Sequence, residues 1–256
     1  MSLATVSPSH LRNGVSEEEW KIRTDLAAAY RLVALYGWDD LIFTHISARL
    51  PGDENHFLIN PYGLMFEEIT ASSLVRIDMQ GEIVGDSDYA VNPAGFTIHS
   101  AVHEVRHDAA CVMHLHTAAG TAVATHEEGL LPLNQTALVV REQIAYHEYE
   151  GIALDHSERP RLQKDLGDKE LMLLWNHGTL SVGKTIPETF LAMYFLERAC
   201  EMQVASLAGG GKLHYPSEAV IALTAQQGAY GLEGVANLSW EALLRKLDRT
   251  FPGYAE

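Results

Sequence analysis

Cysteine is scarce in this chain: Cys111 and Cys200 are the two among 256 residues. Two thiols imply no disulfide framework and fit a reducing compartment. Cys111 lies in the apolar run Ala109-Ala110-Cys111-Val112-Met113, the setting of a buried small hydrophobe rather than a nucleophile. Cations are also few, with 18 Lys and Arg against 34 Asp and Glu, for a formal charge of −16. Such a surface repels phosphate backbones and anionic membranes, so neither nucleic acid nor membrane is an expected partner. No apolar run approaches the roughly 20 residues of a membrane span. Met1 to Val15 lack the basic start and apolar stretch of a signal peptide. That segment reads as flexible, and the expected location is the cytoplasm. Repeats and low-complexity stretches are missing as well.

What is present is an ordinary globular composition, 47% hydrophobic and 20% charged. Ser16 followed by Glu17, Glu18 and Glu19 reads as a capped helix start, and Gly37 as its end. Strands are expected at Phe43–Leu50 and Phe57–Asn60, then a turn at Asn60-Pro61-Tyr62-Gly63. Leu74–Asp78 and Glu82–Val84 read as a hairpin. The pattern turns helical from Pro93, with Phe96, Ile98, Val102 and Val105 on one stripe. Ala110–Leu115 and Leu171–Trp175 read as buried strands, the second followed by Asn176-His177-Gly178 and a strand at Thr179–Val182. Thr117–Glu128 and Pro187–Leu207 read as helices, and the tail holds a helical stretch at Trp240–Leu247. This alternation predicts an α/β fold, three-layer α/β/α around a largely antiparallel or mixed sheet. The boundaries read as a flexible 1–15, a domain over 16–208, and an extension over 209–256 beginning at Gly209-Gly210-Gly211.

The sharpest chemical feature is His114-Leu115-His116 at the end of a buried strand. Residues i and i+2 of a strand share a face, so the two imidazoles stand side by side. Neutral imidazole is a good ligand for zinc and similar metals, and a catalytic site wants three protein ligands plus an open position. His177 also follows a buried strand, beside a glycine that permits close approach, and is the expected third ligand. The expected cofactor is one divalent metal per subunit: zinc first, with manganese, iron or cobalt also compatible. His99 and His103, at i and i+4 on a helix, form a rival pair. His107 continues the row, so they read as a solvated or packed face.

Together, His114-Leu115-His116-Thr117-Ala118-Ala119-Gly120 and Asn176-His177-Gly178 resemble the metal-binding pattern of the class II aldolase/adducin family. Asn60-Pro61-Tyr62-Gly63-Leu64 and Asn92-Pro93-Ala94-Gly95-Phe96 extend the resemblance, which runs over roughly Glu18 to Gly210 and is nearest the adducin-like branch. The resemblance implies a homotetramer with sites at subunit interfaces, a small-molecule substrate, and a metal that polarises a substrate oxygen while a C–C bond breaks. It also exposes a departure. The aldolases' proton-transferring glutamate falls, counting nineteen residues back from His114, on Gly95. Their phosphate-binding turn matches Thr44-His45-Ile46-Ser47, and Tyr62 replaces a small residue before Gly63. Thr44, Ser47, Tyr62, Gly63 and Gly95 are therefore the expected substrate-binding positions. His45, Tyr146, His147 and Glu67 are the candidates for proton transfer. The expected function is a metal-dependent lyase acting on a small oxygenated carboxylate or carbonyl compound. Decarboxylation and retro-aldol cleavage both fit, with a tilt to decarboxylation because it needs no base for a hydroxyl proton. An adducin-like assembly module with a structural metal is the alternative, and epimerase or dehydratase chemistry would use the same site.

Overall fold

The structure, a computed structural model, describes residues 14–152 and 156–256. The expected flexibility of 1–15 thus falls, for 1–13, outside the described residues. The first helix, α1 (Glu17–Tyr36), starts as its sequence dictates. The Ser16 side chain accepts from the Glu19 amide, three glutamates fill the first turn, and Gly37 ends it in a left-handed conformation. Two strands follow, β1 (His45–Leu50) and β2 (Asp53–Ile59), then a 3-10 turn at Phe66–Glu68, β3 (Val75–Asp78) and α2 (Pro93–Val105). Next come β4 (Cys111–Leu115), the short α3 (Ala118–Val123), α4 (Gln135–Val140), β5 (Ile144–His147) and α5 (Arg159–Leu166). The chain finishes with β6 (Leu171–Leu174), β7 (Gly178–Gly183), α6 (Ile186–Ala208) and α7 (Glu218–Thr250).

The seven strands form one mixed sheet in the order β3-β2-β1-β4-β7-β6-β5. Only β5 and β6 pair in parallel; the other neighbours are antiparallel. The strand period of two sorts the sheet's side chains into two cores. Ile46, Ala48, Cys111, Met113, Leu115, Leu171 and Leu173 pack on one face with α1, α4, α6 and α7. Val112, Met172, Leu174, Leu180 and Val182 pack on the other face with α2 and α5. This is the expected three-layer sandwich.

Several elements differ from the sequence reading. The helix expected over Thr117–Glu128 is one short piece, α3, capped by Thr117. Strand β5 was not expected, because Ile144–His147 is too short to show a period. The helical stretch expected at Trp240–Leu247 belongs to a helix of 33 residues. Trp240, Leu247 and Tyr254 join the main core, so the segment after Gly211 closes the helical layer over α1 and α6. No described helix is long and apolar enough to cross a membrane.

Candidate metal centre

Period two also builds the site. On β1 and β4 the residues alternate with the apolar ones, which leaves His45, Ser47 and His114 on the face covered by α2. His45 and His114 are direct cross-strand partners, and their rings stack at 5.7 Å. His116 follows one step past the end of β4. His177 sits in the turn between β6 and β7, and its ring centroid lies 4.7 Å from that of His114 and 4.9 Å from that of His116.

That turn is sharp. Asn176 holds a left-handed φ of 58°, a conformation asparagine tolerates better than most residues. At Gly178 a Cβ would stand 2.5 Å from the Leu115 carbonyl oxygen and 3.0 Å from the His116 ring. The Asn-His-Gly sequence is thus the local solution that folds the third imidazole onto the other two.

One ring nitrogen from each of His114, His116 and His177 comes within 4.8 Å of the others. The donor set can be read further. The Nδ1 of His114 lies 3.0 Å from the Thr179 carbonyl oxygen and must donate to it. The Nδ1 of His116 lies 3.0 Å from the Asp40 carboxylate and donates there. With Nδ1 so engaged, each ring in its neutral form presents a lone pair at Nε2, and these two Nε2 atoms are 3.0 Å apart. Two lone pairs facing one another repel unless a metal ion or a proton lies between them. A carboxylate behind a ligating imidazole is the usual outer support of a metal site. The residues present fit a divalent metal. Burial, then the neighbouring imidazoles, holds His114 well below its ordinary range, and burial brings His177 down to about 4. Both rings are available as neutral ligands at physiological pH.

The other expected site residues divide. Thr44 immediately precedes β1, and Ser47 lies two residues past His45 on it. Thr44 is buried with a left-handed φ of 67°, and its hydroxyl has no hydrogen-bond partner among the described residues. Strain of this kind collects at functional sites. Tyr62 and Gly63 lie on an exposed turn, where the Tyr62 amide donates to the Ala90 carbonyl. Gly95 is in the first turn of α2, and its surroundings lie outside the described residues. Glu67 is exposed on the 3-10 turn. Tyr146 is occupied elsewhere: its hydroxyl accepts from the Leu130 amide and its ring stacks on Trp175. His147 is buried between two carboxylates, with Nδ1 2.7 Å from Asp165 and Nε2 3.2 Å from Glu158.

Of the solvated or packed face expected for them, His99 and His103 form the packed one. Both are buried and both reach Ser47, whereas His107 is exposed. Sequence reasoning passed over Asp40, whose partner His116 lies 76 positions away; no local spacing marks it. It passed over Glu197 too. This buried carboxylate accepts from the Thr117 hydroxyl at 2.5 Å, next to His116, and burial pushes it up to about 7.

Residues 24–204 match the family model described as the class II aldolase and adducin N-terminal domain. A protein of Caulobacter vibrioides named for the class 2 aldolases is 58% identical over 96% of each chain. Alpha-adducin of Rattus norvegicus is 46% identical over 82% of this chain, which spans 30% of that longer protein. A solved aldolase II superfamily protein from Pseudomonas syringae superposes with a TM-score of 0.93 at 46% identity, covering 96% of this chain and all of that one. The L-fuculose 1-phosphate aldolase of Glaciozyma antarctica superposes at 0.78 with 25% identity, covering 98% of this chain and 96% of its own.

Proposed function

The chain belongs to the class II aldolase and adducin family, and from that premise we propose a metal-dependent lyase that cleaves a C–C bond in a small oxygenated carboxylate or carbonyl compound. The observation that carries this reading is the convergence of three imidazoles whose supports, Thr179 and Asp40, leave two lone pairs facing each other. A divalent cation held by His114, His116 and His177 supplies electrostatic stabilisation of negative charge developing on a substrate oxygen. Zinc is the first choice; manganese, iron and cobalt suit the same donors.

The chain's own residues orient and enclose. Asp40 fixes the His116 ring, Thr179 fixes the His114 ring, and the buried face under α2 keeps bulk water off the inner side of the site. Position 95 carries no carboxylate. Decarboxylation asks less of such a site, because it needs a proton delivered to the product and none removed from a hydroxyl. The exposed Leu41 and Phe43 flank the Asp40 loop, and the exposed Tyr149 lies 6.1 Å from the His177 ring. Apolar side chains at the rim of a polar site support an oligomer, a tetramer in this reading, with each site beside a subunit interface. The location proposed is the cytoplasm.

The test is product detection. Metal-loaded protein is given a panel of hydroxy- and aromatic carboxylates, and carbon dioxide and aldehyde are assayed. The His114→Ala/His116→Ala variant is expected to lose metal and to fall by about a thousandfold or more in turnover. A broad panel yielding neither product from the wild type would sink the lyase reading. The adducin-like assembly module is the second reading, favoured by the alpha-adducin match. It gains if the same variant fails to oligomerise while the wild type shows no turnover.

A further inference from the structure

Behind the three imidazoles runs a line of hydrogen bonds made by side chains that the proposed reaction has not used. Its far end is the Ala109 carbonyl, 3.2 Å from the Nδ1 of His103. A carbonyl only accepts, so His103 carries its proton on Nδ1. The Nε2 of His103 is then a bare lone pair, and it lies 2.8 Å from the Ser47 hydroxyl. The single hydroxyl proton of Ser47 goes there. Ser47 must in turn accept from the Nδ1 of His99, 2.6 Å away. That leaves the Nε2 of His99 without a proton, 3.3 Å from the Nδ1 of His45, and His45 donates across this gap.

Each neutral ring in the line has one proton and no choice about where to put it. His99 and His103 are held neutral by burial, which brings each down to about 3. Nothing in the line can run backwards, because the Ala109 carbonyl has no proton to give. The outcome falls on His45. Its proton is committed to His99, and among the described residues nothing bonds its Nε2. The ring is buried and stacks against His114.

We propose that the Ser47–His99–His103 line locks His45 as a hydrogen-bond acceptor beside the three-histidine centre, so that the site selects ligands that donate a free hydroxyl there. Ser47, His99 and His103 are positioning residues that act through His45. An acceptor at this point repels a carboxylate, phosphate or ether oxygen and rewards an O–H. The substrate class is a small hydroxy-substituted carboxylate or carbonyl compound. This rests on the lyase reading for its metal, and it stands or falls on separate measurements.

Histidine-labelled protein, with zinc and without, is examined by two-bond proton–nitrogen correlation NMR, which reports which ring nitrogen is protonated. His45, His99 and His103 are all expected in the Nδ1–H form, the minority tautomer of free histidine. In Ser47→Ala a share of His45 is expected to move to the Nε2–H form. A wild-type His45 with its proton on Nε2 overturns the proposal whether or not the variant folds. Lactate and its methyl ether, 2-methoxypropionate, are then titrated into cobalt-loaded protein and followed by visible absorption. Wild type is expected to favour lactate about tenfold or more, and Ser47→Ala to lose most of that preference. An equal preference in the two proteins overturns the ligand assignment. Failure of the lyase reading shows differently, as a panel without product while the tautomers and the lactate preference remain.

Discussion

Gly178 adjoins His177 and opens β7, so its missing side chain serves two structures at once. A methyl group there would press on the Leu115 carbonyl of the paired strand and on the ring of His116. Either the β4–β7 pairing opens or the imidazoles turn away, and both loosen the candidate metal centre. Gly178→Ala is expected to cost about 1–3 kcal/mol of stability and to weaken zinc uptake. Denaturant melts of metal-free protein and zinc titration against a coloured chelator check both effects. Unchanged values in each would mean the close approach is not needed. The same scale explains Asp40: a carboxylate on an open loop gains its role from one ring nitrogen that it meets in space.

At the scale of elements, α7 is the least expected feature. Its sequence has an apolar stretch near its end, yet Val220, Leu223, Val235 and Leu238 are exposed. What ties it down is Trp240. The indole N–H donates to Asp25 on α1 at 3.1 Å, and the ring meets Phe190 on α6 edge-on at 5.8 Å. Three helices therefore share one anchor. Trp240→Ala is expected to lower the unfolding free energy by about 3–5 kcal/mol, the usual range for an emptied tryptophan site. Urea denaturation measures it. A loss under about 1 kcal/mol would mean that α7 lies outside the cooperative unit.

Across the whole molecule, the buried histidines set the acid limit. Burial brings His99 and His103 down to about 3 in the folded protein and His177 to about 4, from the ordinary 6.5. Between those values the unfolded chain binds protons that the folded one refuses. Their contribution is therefore complete above about 6.5 and is lost as pH falls toward 3. Glu197 runs the other way: raised from 4.5 to about 7 by burial, it favours folding as pH drops through that window. Burial also holds His45 and His114 well below their ordinary range, so five histidines against one carboxylate make the net direction a loss of stability on acidification. Urea midpoints of chelator-treated protein at pH 7.5, 6, 5 and 4 should fall steadily. A flat profile would contradict neutral buried imidazoles.

The chain's own order of residues was enough for the three-layer fold and for the convergence of three histidines. The i, i+2 spacing at the end of β4 brings His114 and His116 to the same side, and Asn-His-Gly suits a tight turn. These are local rules that act over a few residues. Which partners those side chains meet was decided by tertiary structure. His99 and His103 look like a solvated row on a lone helix; they become an ordered line because α2 lies across Ser47 of β1, more than fifty positions away. Asp40, Glu197 and Trp240 gain their roles in the same way, through contacts spanning 76, 80 and 215 positions. Hydrogen bonds depend on distance in space, and spacing along the chain carries no record of it until the sheet and its helices have closed.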